Sequence, residues 1–377
     1  MESEQRVRKC GTMTVHRRLL NRDPNYMIRR ERLENLTLAR KHARDARRTG
    51  ITIIPVVVHI VYNALIENIS DEQVLSQMKV LNEDFSKNNS NLQSVPAVWR
   101  DIVGDAQIKF MQAQSDPNGE PTNGITRTST TIESFGDDDA VKSIATGGAE
   151  AWPADHYLNI WVCHLQNLLG YAQFPGGPPE TDGVVIDYRA FGTIGTVQTP
   201  FHLGRTTTHE VGHWLNLFHI WGDDGTGCTG TDQVDDTPNQ AGPNTGRPVF
   251  PHITCNNGPE GDMFINFMDY VDDSCMVMFT AGQVERMLST LDLARSSFIE
   301  ESTPLESDAI TGWTYTDLTL ATGAPEAAGD PVVTSWPDNK LCILYLGVDH
   351  HIHALRLNDD VDPSNSLSSR GFNNTSK

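Results

Sequence analysis

The sequence predicts an α/β fold in which a sheet carries helices packed against it. Three observations predict this. An apolar, β-branched run covers Ile51 to Tyr62; a helix-periodic stretch follows a capping signal at Ser70; several short apolar strands then precede a second amphipathic helix.

The elements follow in order. The first fifty residues are polar and Arg-rich. Within them Asp23 to Arg48 reads as a helix, with Pro24 suited to the first turn, and its few large apolar residues call for a partner surface. Ile51 to Tyr62 is almost wholly apolar, as a strand buried on both faces would be. Pro55 has no N–H to give a ladder, so full pairing is expected to begin after it. Ser70-Asp71-Glu72-Gln73 is a capping-box pattern. Val74, Met78, Leu81 and Phe85 then fall on one helix face. Ile108 to Met111, Tyr157 to Leu165, Leu168 to Phe174 and Val184 to Tyr188 read as strands. A second helix begins near Thr206. Residues 222–262, rich in Gly, Asp, Thr, Pro and Asn, form a long irregular excursion of the kind that carries function or needs a bridge or ion to hold it. Thr280 to Leu293 closes this region as a helix with Val284, Met287, Leu288 and Leu291 on one side. Beyond Pro304, Trp313-Thr314-Tyr315 and Lys340 to Leu357 look like short strands. The stretch from Asn358 is polar enough to stay disordered.

Composition narrows the function. The chain has 377 residues, 38% of them hydrophobic, enough for a sizeable core. Its net charge is −20, unevenly placed: residues 1–48 hold 14 Lys and Arg against 6 Asp and Glu. A basic arm on an acidic body suggests mutual attraction, although a merely solvated basic helix reads the same way. The acidic body argues against nucleic acid as a partner. No apolar run is long enough for a transmembrane helix, and a membrane partner is not expected. The N-terminus shows no apolar signal-peptide core. Six cysteines allow one or two bridges but not a disulfide scaffold.

The decisive text is His209-Glu210-Val211-Gly212-His213-Trp214-Leu215-Asn216-Leu217-Phe218-His219. Residues four apart share a helix face, so His209 and His213 can present two imidazoles to one ion. Glu210 sits beside them, within reach of a water at the open position that three protein ligands leave on zinc. The third ligand would be His219. A continuing helix would carry it to the wrong side, so the helix must break, and Asn216 is where the break is expected. Two histidines on an amphipathic helix can also be plain core; the third at the extended spacing is what favours a metal.

This text resembles the metzincin pattern H-E-x-x-H-x-x-G-x-x-H followed by a Met-turn. Asn216 stands where the pattern has Gly, and Asn is the residue next most tolerant of the left-handed backbone. Asn266-Phe267-Met268-Asp269-Tyr270 fits the turn. Trp214-Leu215, Asp272-Asp273-Ser274-Cys275-Met276, Tyr157 to Val162 and Gly170 to Gly177 resemble the pappalysin family, over roughly residues 8–295. The resemblance implies a metzincin fold: a twisted mixed sheet, a backing helix, a zinc helix, then an irregular lower subdomain. It implies a zinc endopeptidase with protein or peptide substrates, secreted to the extracellular space. Met268 would form an apolar floor under the ligands, and Tyr270 would hydrogen-bond the substrate oxygen as it gains charge. Cys228 and Cys255 match a disulfide pinning the long loop. Cys275 matches half of a second bridge whose partner position holds Arg247, leaving it free or paired elsewhere, for example with Cys163. Asp232 and Thr237 fall where relatives bind calcium, and Asp235 and Asp236 add hard oxygen donors, although a solvated acidic loop reads equally well. Asp273 matches a carboxylate lining the pocket for the residue after the cut, favouring Arg or Lys. Arg8-Lys9-Cys10-Gly11-Thr12 resembles a pro-segment whose thiolate takes the open zinc position, so Cys10 would hold the enzyme latent until removal near Arg44 to Gly50.

Three parts are therefore expected: a basic pro-segment at 1–50, a catalytic domain at 51–300 and a β-rich appendage at 301–377. The appendage loosely resembles one unit of a propeller or lectin-like repeat, with glycans as its candidate partner. His351 and His353 could share a strand face there without a metal role being expected. The rival reading is a metzincin-fold binding protein, inactivated through Asn216, whose tail recognises glycans.

Overall fold

A computed structural model of the chain describes residues 7–43, 50–223, 225, 227–302, 332–335, 341–346, 352–357 and 372–374. The chain divides into two compact units, Met1–Thr303 and Pro304–Lys377.

The first unit opens with two helices, α1 (Thr12–Arg22) and α2 (Pro24–Ala43). Strand β1 (Thr52–Tyr62) leads to helix α3 (Asp71–Asp84), then to β2 (Ile108–Gln112), β3 (Ile125–Ser129), β4 (Leu158–Cys163), β5 (Gly170–Ala172) and β6 (Val184–Asp187). Helix α4 (Arg205–Trp214) follows, then the short strands β7 (Thr245–Gly246) and β8 (Tyr270–Val271), and finally α5 (Ala281–Ala294) and α6 (Ser297–Ser302). The main sheet runs in the order β2-β1-β4-β6-β5, with β3 beside β2 along the same edge of β1. Every pairing in it is parallel except that of β5 with β6. β5 is thus an antiparallel edge strand.

Strand alternation sorts the side chains. Ile54, Val56, Val58, Ile60, Ile160, Val162, Val184 and Ile186 enter the large core. There they meet Val74, Met78, Leu81 and Phe85 of α3 and Val211 and Trp214 of α4. Val61, Trp161, Val185 and Tyr171 enter a second core completed by Val15 and Leu19 of α1 and Tyr26 of α2. Two buried faces explain why β1 is almost wholly apolar, with Thr52 and His59 its buried polar exceptions. Ser70 caps α3 through its side chain to the Gln73 N–H, and Thr280 and Gln283 form the capping box of α5.

Several expectations change. Helix α1 precedes the expected start at Asp23; Gly11 caps it without a side-chain bond, so it lacks a sequence signature. Pro55 does not delay pairing on both sides, because β2 pairs from Thr52 onward while β4 pairs only from Val56. The strand expected at Leu168 to Phe174 shortens to β5. β3 has no counterpart among the expected strands, because its half-exposed Ile-Thr-Arg-Thr-Ser has no apolar run. Cys163 lies in the second core and Cys275 packs against the first, on opposite faces of the sheet, so the pairing considered for them does not form and both are free.

In the second unit β9 (Val332–Ser335), β10 (Leu341–Leu346), β11 (Ile352–Leu357) and β12 (Phe372–Asn374) form a sequential antiparallel sheet. β12 falls in the stretch expected to be disordered. Residues 313–315, expected as a strand, and His351 lie outside the described residues, as does most of the proposed removal stretch, 44–49.

Candidate active site

Helix α4 carries His209 and His213 and stops at Trp214. Asn216 takes φ +76°, the left-handed conformation the Gly position requires, so the chain reverses there and brings His219 back. The three Nε2 atoms converge, with His213 standing 3.2 Å from His209 and 3.1 Å from His219. These short approaches are not hydrogen bonds. Each Nδ1 sits 2.7 Å from an acceptor that has no proton to give: the Phe267 carbonyl, the Leu217 carbonyl and the Asp223 carboxylate. The Nδ1 atoms therefore carry the protons, and three Nε2 lone pairs point at one another. Only a cation relieves that arrangement, and the separation matches tetrahedral bonds of about 2.0–2.1 Å, so the donor set fits zinc. Burial and the neighbouring imidazoles hold His209 well below the usual histidine range, as burial and His219 do His213.

Met268 is buried beneath the helix, and a Cβ on Gly212 would stand 2.6 Å from its sulfur. That close approach explains the glycine between the histidines. The Tyr270 ring lies 5.0 Å from that of His219 and 4.8 Å from that of Trp221. Burial, Cys10 and Glu210 push its phenol well above the usual range.

Cys10 closes the cluster: its sulfur and one nitrogen from each histidine all lie within 4.8 Å of one another. Among the described residues this is the one such group of His, Cys, Asp and Glu. The Cys10 thiol is 3.3 Å from Glu210 Oε2, which also accepts from Thr12 Oγ1 at 2.9 Å. Burial pushes Glu210 up to about 7, and burial with the Glu210 charge pushes Cys10 well above its usual value. The arm around Cys10 joins the sheet edge next to β5: Leu169 N–H donates to Lys9 O and Gly11 N–H to Gly170 O, both at 3.0 Å.

Two residues upstream, Arg8 enters a closed pocket. Nη2 donates to Asp273 Oδ1 at 2.6 Å and Nη1 to Thr206 Oγ1 at 3.0 Å, while the guanidinium lies 5.0 Å from the Phe201 ring centre. Both charged side chains are 1% exposed or less. The other Asp273 oxygen accepts from the Leu203 N–H at 2.7 Å.

Cys228 and Cys255 are bonded and close the long loop. Among the described residues, no three of the acidic groups of that loop converge on one point. Asp236 accepts from Thr280 Oγ1 at 2.6 Å and from Gly282 N–H at 2.8 Å, so it caps α5 and its oxygens are engaged. Asp232 is buried, and burial pushes it up to about 7 against the Thr237 hydroxyl bond.

Three contributors escaped the sequence. Arg8 belongs to the pro-segment motif, but nothing near it in the sequence points to Asp273. Thr12 follows Cys10 by two residues and holds Glu210. Asp223, four residues after His219, was the readable one, since ligand histidines need an acceptor on the far nitrogen.

Residues 142–292 match the peptidase M43 family, described as pregnancy-associated plasma protein-A. An extracellular metalloprotease of Pyricularia oryzae is 32% identical over 257 residues, covering 65% of this chain and 76% of the relative. One from Colletotrichum graminicola is 31% identical, covering 69% and 85%. Among solved structures, mature mirolysin of Tannerella forsythia with a cleaved peptide is 51% identical, spans 68% of this chain and all of that one, and superposes with a TM-score of 0.66. A promirolysin variant from the same organism is 47% identical with a TM-score of 0.71, covering 78% and 96%. Fold, site and relatives together define a metalloprotease of metzincin architecture. Within that class the chain belongs to the pappalysin family.

Proposed function

We propose that the protein is a zinc-dependent endopeptidase, made as a latent precursor, that cuts proteins or peptides before Arg or Lys. The observation that carries this is the convergence of three Nε2 lone pairs beside Glu210. His209, His213 and His219 would hold zinc, which when bound would supply Lewis acidity toward a water and the scissile carbonyl. Glu210 takes a proton from the attacking water and delivers it to the leaving amine. Tyr270 donates a hydrogen bond to the carbonyl oxygen as it gains charge. The edge beside β5 receives extended substrate through main-chain bonds, as Lys9 and Gly11 exploit it in this chain. Asp273 selects a basic side chain; the seated Arg8 supports that choice.

Residues 1–50 act as the pro-segment, with Cys10 taking the position a substrate needs, Arg8 filling the pocket and Thr12 occupying Glu210. Residues 51–300 are the catalytic domain and 301–377 an appendage. Secretion is supported by the extracellular metalloproteases among the relatives. Calcium is proposed at Asp232 and Thr237, where burial pushes a carboxylate up to about 7 and the neighbouring Arg286 charge only partly offsets that. Asp235 is proposed as a further oxygen donor there, while Asp236 is left out because Thr280 and Gly282 engage its oxygens.

The test is Glu210→Gln in chain trimmed of residues 1–50, offered a peptide library with and without chelator. Zinc content is expected to stay stoichiometric while cleavage falls about 10²–10⁴-fold. Retained turnover in the zinc-loaded variant sinks the assignment.

A further inference from the structure

Asn216 does more than reverse the chain. Glycine serves a left-handed backbone at least as well, but it has no side chain to offer. Here both ends of the amide are used, and both meet helix α2. Oδ1 accepts from Arg30 Nη1 at 2.6 Å, and Nδ2 donates to Glu34 Oε1 at 3.3 Å. Arg286 of α5 completes the arrangement: Nη2 donates to the same Glu34 oxygen at 2.7 Å, and Nε to the Asn216 carbonyl at 2.7 Å. Phe218 lies between the two guanidiniums, 5.8 Å from Arg30 and 5.1 Å from Arg286, and Phe174 receives Arg30 at 4.9 Å. Asn216, Arg30 and Arg286 are all buried.

We propose that the turn at Asn216, with Phe174, Phe218 and Arg286, is a recognition surface for a helix bearing Arg and Glu four residues apart, and that α2 is its resident occupant. The chemistry is reciprocal. An acceptor and an aromatic wall take the Arg; a donor and a guanidinium take the Glu. Charged partners in a closed contact are worth roughly twice neutral ones. A second tie along the same helix pair, Arg40 to Asp292 at 2.6 Å, extends the contact down α5.

The surface adjoins the cleft through Phe174, whose ring meets His213 at 5.5 Å and His16 of α1 at 5.2 Å. Its polar bonds are separate from those of Arg8, Cys10 and Thr12, so the N-terminal arm is held by two sets of bonds that can be broken separately. A cut between α1 and α2 would free the cleft and leave α2 seated on the turn that positions His219. The inference rests on the arm being a removable segment only for that last consequence, not for the recognition itself.

Hydrogen–deuterium exchange on the full zinc-loaded chain tests it, comparing Asn216→Gly, Glu34→Gln and Cys10→Ala. Asn216→Gly keeps a residue suited to the backbone, and Glu34→Gln leaves the turn untouched. In both, amides of residues 24–43 are expected to exchange about tenfold faster or more, while those of 12–22 and the zinc content stay unchanged. Cys10→Ala is expected to loosen 12–22 and spare 24–43. Unchanged exchange of 24–43 in either of the first two variants overturns the recognition, and loosening of both helices together in every variant overturns the two-anchor arrangement. The activity of Cys10→Ala, read separately, bears on latency alone.

Discussion

Replacing Asp273 by Asn tests specificity most sharply. In the uncut chain Asp273 holds Arg8 at 2.6 Å with both side chains closed from solvent. An Asn at 273 can still accept from the Leu203 N–H, as one Asp273 oxygen does now. Its other end then turns an amide donor, or at best a neutral oxygen, toward the guanidinium. Removing one partner of a buried ion pair costs about 3–5 kcal/mol, because the remaining charge stays desolvated. At about 1.4 kcal/mol per tenfold, that is roughly two to three and a half orders of magnitude. The pocket opens to water once the arm is gone, so a bound substrate recovers part of its hydration and the lower end, about 100-fold, is expected. The assay uses trimmed enzyme and two peptides that differ only in Arg or Leu after the cut bond. The ratio of their kcat/KM values is expected to fall by that factor, chiefly through the Arg peptide. If the Arg:Leu ratio is the same in both enzymes, Asp273 does not read the substrate and the basic preference has another source.

Other outcomes follow from the same geometry. Cys10→Ala should raise the peptidase activity of the untrimmed chain, and Arg8→Ala added to it should raise it further; an untrimmed Cys10→Ala no more active than the parent removes the latency mechanism. Calcium should raise the Tm of the parent chain and not that of Asp232→Asn, and equal shifts would place any bound calcium elsewhere. Asp269 is buried and pushed up to about 7, against its hydrogen bonds from Gln240 and Asn244. A raised carboxyl means that the folded state holds a proton the unfolded state has released, so this group favours folding below its unfolded pKa and loses that contribution as pH rises through about 7. Thermal unfolding between pH 5 and 8 should show Asp269→Asn with a flatter loss of Tm than the parent; parallel profiles would remove Asp269 as the cause.

Where a local rule governed, the sequence was legible. The α3 face of Val74, Met78, Leu81 and Phe85 follows from helical periodicity alone, and all four are buried. The four-residue spacing of His209 and His213 and the break at Asn216 are statements about one helix and one backbone region, and both hold. Cys228 with Cys255 was available through resemblance. What pairs across the chain was not legible. Arg8 and Asp273 are 265 residues apart, and nothing local to either announces the other. Asp236 looked like a cation ligand, yet packing delivers it to the N-terminus of α5, 46 residues on, where backbone and hydroxyl donors claim its oxygens. Asn216 read as a tolerated exception to glycine. Folding of the arm onto the body gives its side chain two partners in α2, because a side chain's role is set by what the sheet and helices bring within reach of it, and that reach is not written in its neighbours along the chain.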